Sequence, residues 1–217
     1  QRKEINVNEI GIYGHSQGGA IAPLVASRSH DVAFVVAGAG GGVPMHEAEI
    51  YSITNQLRAS GITGNELVEA TVFIKKLVNV MQSGVGWEEF EAASEKARTA
   101  RWYPMLNVPP RDSWFWSFYI HIADYDPAQY WTKVTVPVLL IYGERDIIVP
   151  VGQSVPNIDR ALNKAGNRDY TIVILPRASH AFNIEAEPGK PFEWDRIAPG
   201  FPDLVSSWIL QRTAIKG

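Results

Sequence analysis

Four short apolar runs restrict what this chain can fold into more than any other feature. Ile10–Tyr13, Val32–Ala37, Val138–Tyr142 and Thr171–Leu175 are nearly continuous, with little of the apolar–polar alternation of a half-wet strand. Strands covered on both faces read this way, as the strands of parallel sheets do. Helical patterns separate the runs. Gln17–Ser27 follows the first, and its early glycines allow helix and strand to approach closely. After the third run, Val155, Ile158 and Leu162 share one helix face, and Gly166 is placed to end that helix. Pro202 then suits a first helical turn, with Leu204, Val205, Trp208 and Ile209 as an apolar stripe. The order predicts an α/β protein with a parallel sheet and helices on both faces.

The middle of the chain breaks that alternation. From about residue 43 to 132 no convincing strand is present. Leu67, Ala70, Thr71, Ile74, Leu77, Val78 and Met81 keep helical spacing, Trp87, Phe90, Ser94 and Ala97 suggest a second helix, and Ala48–Arg58 a third. The stretch "RWYPMLNVPPRDSWFWSFYIHIADY" adds dense aromatics broken by prolines. The expected organisation is a core of residues 1–42 and 133–217, with 43–132 as a helical cap inserted over the sheet's functional edge. A separate helical domain is the alternative.

Several classes of function lose support on composition. A formal charge of −3 gives no electrostatic reason to expect nucleic acid or an anionic membrane as partner. No apolar run approaches the roughly eighteen residues that span a bilayer. With no cysteine, disulfides, thiolate catalysis and cysteine-ligated zinc are excluded. Localisation stays open, with the cytoplasm as default. The opening "QRKEINVNEIGIYG" has neither an initiator methionine nor a signal-peptide pattern, and its first residues look like the charged last turn of a helix. Such a start is expected of a piece of a longer protein, with any targeting segment upstream.

The first run leads into Gly14-His15-Ser16-Gln17-Gly18, a G-x-S-x-G pattern. The bare match is weak, and an ordinary glycine-rich turn is the plain reading. A strand before it and a helix opening at Gly19-Ala20-Ile21-Ala22 strengthen the other: a strained elbow holding Ser16 out as nucleophile, with small residues avoiding clashes on either side. In that geometry the Gln17 backbone N–H, at a helix N-terminus, faces a developing oxyanion. A serine hydroxyl needs a base, and the base an orienting carboxylate. Of five histidines, His15 should point away from the serine, His30 and His46 read as surface, and His121 sits among aromatics as core or pocket. His180, in "VILPRASHAF", lies just after the last predicted strand, where open α/β sheets gather their sites. Asp146, in "VLLIYGERDIIVP", occupies the equivalent loop of the preceding strand, with Glu144 as its rival. The chain order is Ser16, Asp146, His180.

"GHSQGG", "PVLLIYGERDIIVP" and "LPRASHAF" together resemble the α/β-hydrolase superfamily. The cap and "DYDPAQYWTKVTVPVLLIYGERD" are similar to bacterial serine esterases near the dienelactone-hydrolase and acyl-peptidase branches. The resemblance covers nearly the whole chain. It implies the C-terminal part of an α/β-hydrolase fold, with Ser16 as nucleophile, Asp146 as acid, His180 as base and the Gln17 N–H as one oxyanion donor. The implied reaction is cleavage of carboxylic esters or related small acyl substrates through an acyl-enzyme, without metal or organic cofactor. The alternatives are an acylaminoacyl or prolyl-type serine peptidase and a non-catalytic hydrolase-like fragment that binds without turnover. Trp102, Tyr103, Trp114, Trp116 and Tyr119 are candidates for an apolar substrate pocket, or for the core of the cap itself.

Members of this superfamily carry strands ahead of the nucleophile strand, and none precedes it here. Ile10–Tyr13 would then be an edge, although it is written for a buried centre. An exposed apolar edge invites pairing with another chain. Either a homodimer through that edge or upstream residues are expected to complete the sheet.

Overall fold

Parallel pairing fixes the register of the whole sheet. The computed structural model describes residues 3–184 and 196–213. In it, β1 (Gly11–His15), β2 (Phe34–Gly38), β3 (Val138–Gly143) and β4 (Tyr170–Leu175) lie side by side in sequence order, every pair parallel. The two central strands, β2 and β3, are buried at every position, which explains their unbroken apolar text. The outer strands are wetter, with Tyr13 of β1 54% exposed and Thr171 and Ile174 of β4 also exposed.

Side-chain alternation along β2 and β3 builds a separate core on each face. Val35, Ala37, Val138, Leu140 and Tyr142 meet Ala22 of α1 (Gln17–Ala26) and Ile158, Ala161 and Leu162 of α7 (Val151–Lys164). Phe34, Val36, Leu139 and Ile141 meet Phe182 and, from α8 (Phe201–Thr213), Trp208. The sheet is thus covered by helices on both faces, as its sequence predicts.

The chain divides into two compact units, one of residues 1–43 with 127–217 and one of 44–126. The second boundary falls before the expected 132 because α6 (Pro127–Trp131) belongs with the sheet, where Trp131 is buried beside Val35 and Val138. The helical unit holds α2 (Met45–Ala59), α3 (Gly64–Ser83), α4 (Trp87–Ala97) and α5 (Trp114–Ile122). Its ends are tied together by Met45 N–H to Tyr125 O and His46 N–H to Ala123 O, each 3.0 Å. The α3 stripe supplies the centre: Ala70, Phe73, Ile74, Leu77, Val78 and Met81 are buried there. Gly84 ends α3 at φ +68, a left-handed conformation that a Cβ makes costly.

The candidate pocket aromatics belong largely to this unit's own core. Trp102, Trp116 and Tyr119 are buried in it and Tyr103 packs against it, whereas Trp114 is 73% exposed. The period of α5 explains the division. Positions 116 and 119 face inward, while Trp114 and Phe118, one turn apart, stack edge-on outside at 5.7 Å. The Ser113 hydroxyl caps that helix by accepting from Phe115 N–H at 3.2 Å. His121, expected as core or pocket, is exposed on the same helix and bonds back to Ser117 O.

Two local features depart from the sequence reading. Lys3 onward forms turns and a short 3-10 helix at Val7–Glu9, begun by the Asn6 side chain accepting from Asn8 N–H at 3.1 Å, and Gln1 and Arg2 lie outside the described residues. An antiparallel pair of two-residue strands, β5 (Asn183–Ile184) and β6 (Arg196–Ile197), also forms beyond β4. Two residues are too short to show a period in the sequence.

Candidate active site

Ser16 stands between β1 and α1 at φ 56, ψ −118, well outside the regions an L-residue prefers. Its N–H continues the ladder to Gly38 O on β2 at 2.8 Å, and its carbonyl accepts from Ala20 N–H at 3.0 Å as the helix begins. A strand and a helix joined through one strained residue leave the Ser16 side chain at the C-terminal end of the sheet. The space around this turn decides which glycines it needs. A Cβ on Gly14 would lie 2.2 Å from Gly18 O, and one on Gly19 would lie 2.7 Å from Gly38 O. Gly18, the last glycine of G-x-S-x-G, has nothing within 4 Å of its would-be Cβ. Steric need therefore falls on Gly14 and Gly19, not on Gly18.

The other two predicted residues arrive from the loops after β3 and β4. Asp146 Oδ1 accepts from Ile148 N–H at 2.8 Å and Val149 N–H at 2.9 Å, which aims its second oxygen outward. That oxygen, Oδ2, lies 2.8 Å from His180 Nδ1. On the far side of the same ring, Nε2 lies 2.8 Å from Ser16 Oγ. The Asp146 side chain is 0% exposed and the His180 side chain 21%. Burying a carboxylate is expensive unless it is well bonded, and here it is held by two amide donors and the imidazole. Glu144, the rival acid, does something else: its Oε2 accepts from Arg177 N–H at 2.7 Å and so anchors the start of the histidine loop.

Several backbone features hold this arrangement. Arg145 N–H bonds Ala178 O at 2.9 Å, joining the two loops. Five described non-glycine residues have positive φ, and four of them, Ser16, Ala39, Arg177 and Phe182, lie in the turn and loops around the site. Strain concentrated this way persists only where the surroundings over-determine it. Behind the elbow, the buried Tyr142 hydroxyl donates to Gly40 O at 2.9 Å. Burial, and then the Asp146 charge, raise the Tyr142 pKa far above the ordinary phenol value, so it remains a donor.

Gly143, at the end of β3, is closely confined. A Cβ there would lie 2.2 Å from Ser179 O and 2.5 Å from Ala178 O, both main-chain atoms that cannot swing aside. Gly143→Ala is expected to cost about 1–3 kcal/mol of stability by overpacking and to displace the His180 loop. Urea denaturation followed by an ester-hydrolysis assay checks both effects.

The amide of Gln17, the first residue of α1, has no intrahelical acceptor because of its position and points out of the helix N-terminus. A hydroxyl beside an imidazole, a carboxylate behind the imidazole and an amide nearby can together attack an acyl carbon and stabilise the resulting charge. Among the described residues no group of three or more His, Cys, Asp or Glu could hold a metal ion. His30 is exposed and His46 bonds Ala123 O at 3.0 Å within the helical unit. Sequence reasoning also missed an interaction of His15, whose Nε2 lies 2.9 Å from His180 O.

A 63-residue stretch is 40% identical to a Salmonella typhimurium protein provisionally named a carboxymethylenebutenolidase, covering 29% of this chain and 23% of that one. In structure the chain is similar to an esterase of Pyrococcus furiosus, with 16% identity and a TM-score of 0.49 over 94% of this chain and 53% of that one. It is also similar to an acylaminoacyl peptidase of Pyrococcus horikoshii, with 15% identity and a TM-score of 0.43 over 81% of this chain and 20% of that one. The chain therefore spans about half the length of the esterase and less of the other two. The profile of the family described as "Serine aminopeptidase, S33" matches residues 1–187. With most of its length inside that match, and the parallel sheet built as above, the chain belongs to the S33 serine aminopeptidase family of the α/β-hydrolase superfamily.

Proposed function

We propose that this protein is a serine hydrolase that cleaves carboxylic esters or related acyl substrates through a covalent acyl-enzyme. One observation carries the reading: a single imidazole bridges Ser16 Oγ and Asp146 Oδ2, at 2.8 Å to each. Ser16 Oγ attacks the acyl carbon as its proton passes to His180 Nε2. Asp146 stays ionised, holds Nδ1–H and stabilises the imidazolium. The tetrahedral oxyanion accepts from the Gln17 N–H. On collapse the alcohol departs with the proton from His180, leaving Ser16 acylated. Water then attacks, gives its proton to His180, and the acid leaves as the serine hydroxyl is restored.

An ester substrate is favoured by the 63-residue likeness to a protein named for opening a butenolide, which is a cyclic ester. The family description favours a second reading, hydrolysis of aminoacyl amides. Amides have the poorer leaving group and ask more of the acid step and the oxyanion site. Stopped-flow hydrolysis of p-nitrophenyl acetate, set beside amino-acid p-nitroanilides, separates the two. The expected result is ester turnover with a burst of p-nitrophenol stoichiometric with enzyme, and little or no nitroanilide cleavage. Nitroanilide cleavage as fast as ester cleavage would favour the peptidase reading. Turnover of neither would leave a domain that binds without catalysis.

A further inference from the structure

We propose that His15 is a positioning residue: its Nε2–H holds the backbone carbonyl of His180 and so fixes the imidazole that serves Ser16, an inference that rests on the triad reading above. His15 Nε2 lies 2.9 Å from His180 O. A carbonyl oxygen only accepts, so this ring nitrogen carries the proton. Two consecutive residues thus grip opposite ends of one histidine. Ser16 Oγ meets its side chain at Nε2, and His15 Nε2 meets its main chain.

The ring of His15 is also wedged in place. Its centroid lies 5.2 Å from that of His180, tilted by 58°, and it meets Phe182 edge-on at 5.1 Å and 85°. Gly38 leaves the space for this packing, since a Cβ there would lie 2.9 Å from the Phe182 ring and 3.5 Å from His15 Cδ2. The histidine loop needs such an anchor. Arg177 and Phe182, on either side of His180, sit at φ 60 and 61, so the backbone gains by relaxing. Its turn bonds, Ser179 N–H to Asn183 O at 2.8 Å and Phe182 N–H to Ser179 O at 3.0 Å, tie the loop to itself, and Arg145 N–H to Ala178 O and Arg177 N–H to Glu144 Oε2 tie it to the loop after β3. The His15 bond instead ties it to the strand that carries the nucleophile. A plain structural histidine would satisfy some carbonyl; this one satisfies the carbonyl of the base.

The test compares wild type, His15→Phe and His15→Gln by the second-order rate of labelling with a fluorophosphonate, and by kcat and KM on p-nitrophenyl acetate. Phe keeps the ring contacts without the donor. Gln offers an amide N–H at a reach similar to Nε2. A displacement of the base by about 1 Å costs about a hundredfold in rate, so His15→Phe is expected to lower labelling and kcat by about 10- to 100-fold with KM unchanged. His15→Gln is expected to recover most of the loss, which a purely structural role would not predict. Should His15→Phe lose its cooperative melt, His15→Met against His15→Gln makes the same comparison at similar length. Labelling of the Phe or Met variant at the wild-type rate, or a Gln variant as slow as Phe, overturns the inference. A wild-type chain that does not label overturns the triad reading and this inference with it.

Discussion

Ser16→Ala is expected to reduce ester turnover by about a million-fold, the scale of removing the nucleophile from a serine triad. The fold should survive the change. Alanine meets nearly the same backbone cost as serine at φ 56, and the bonds through Ser16 N–H and its carbonyl are main-chain bonds that remain. The Oγ contact to His180 Nε2 is lost. What remains should be the small acceleration due to substrate binding and the Gln17 amide. Initial rates with p-nitrophenyl acetate, together with a thermal melt matching wild type, check the prediction. A well-folded variant with rates near wild type would remove Ser16 from the mechanism.

Asp146→Asn should cost about ten-thousand-fold in kcat, because it reverses the tautomer of His180. The buried carboxylate accepts at both oxygens: Oδ1 from the Ile148 and Val149 amides, Oδ2 from the His180 ring. In the asparagine variant the carbonyl oxygen remains bound to the two amides, since an NH2 cannot face N–H donors. The NH2 group then faces His180 Nδ1, which must become an acceptor and move its proton to Nε2. A protonated Nε2 cannot take the Ser16 proton. Glu144→Gln separates this effect from a general loss of acid. The Glu144 carboxylate accepts from Arg177 N–H, which a glutamine oxygen can replace, so most activity should remain. Equal losses in the two variants would contradict the assignment of Asp146.

The central sheet was legible because strands buried on both faces have no freedom to be polar. β2 and β3 follow that rule at every position. The outer strands were placed by the same apolar text, but that text does not mark their wet positions: Tyr13 and Ile174 are exposed. Ser16, Asp146 and His180 could be chosen because each sits at a discrete punctuation, a strand-to-helix turn or the loop just after a strand. The interactions that hold them leave no such mark. His15 bonds a carbonyl, and every residue has one. Gly143 carries a tight steric demand outside the G-x-S-x-G pattern, while Gly18, inside it, has open space. Aromatic density could not separate pocket from core in the helical unit. The helical period did so once α5 was known to run from Trp114 to Ile122.

The most direct test of the account is the covalent bond itself. The chain would be treated with a fluorophosphonate, digested with trypsin and sequenced by fragment ions across residues 4–28, the peptide holding Ser16 and, as an internal control, Ser27. One phosphonyl group per chain is expected, on Ser16, with loss of ester turnover in proportion to labelling and no labelling of Ser16→Ala. A group on Ser27 or elsewhere, or ester turnover that persists after Ser16 is fully modified, would contradict it.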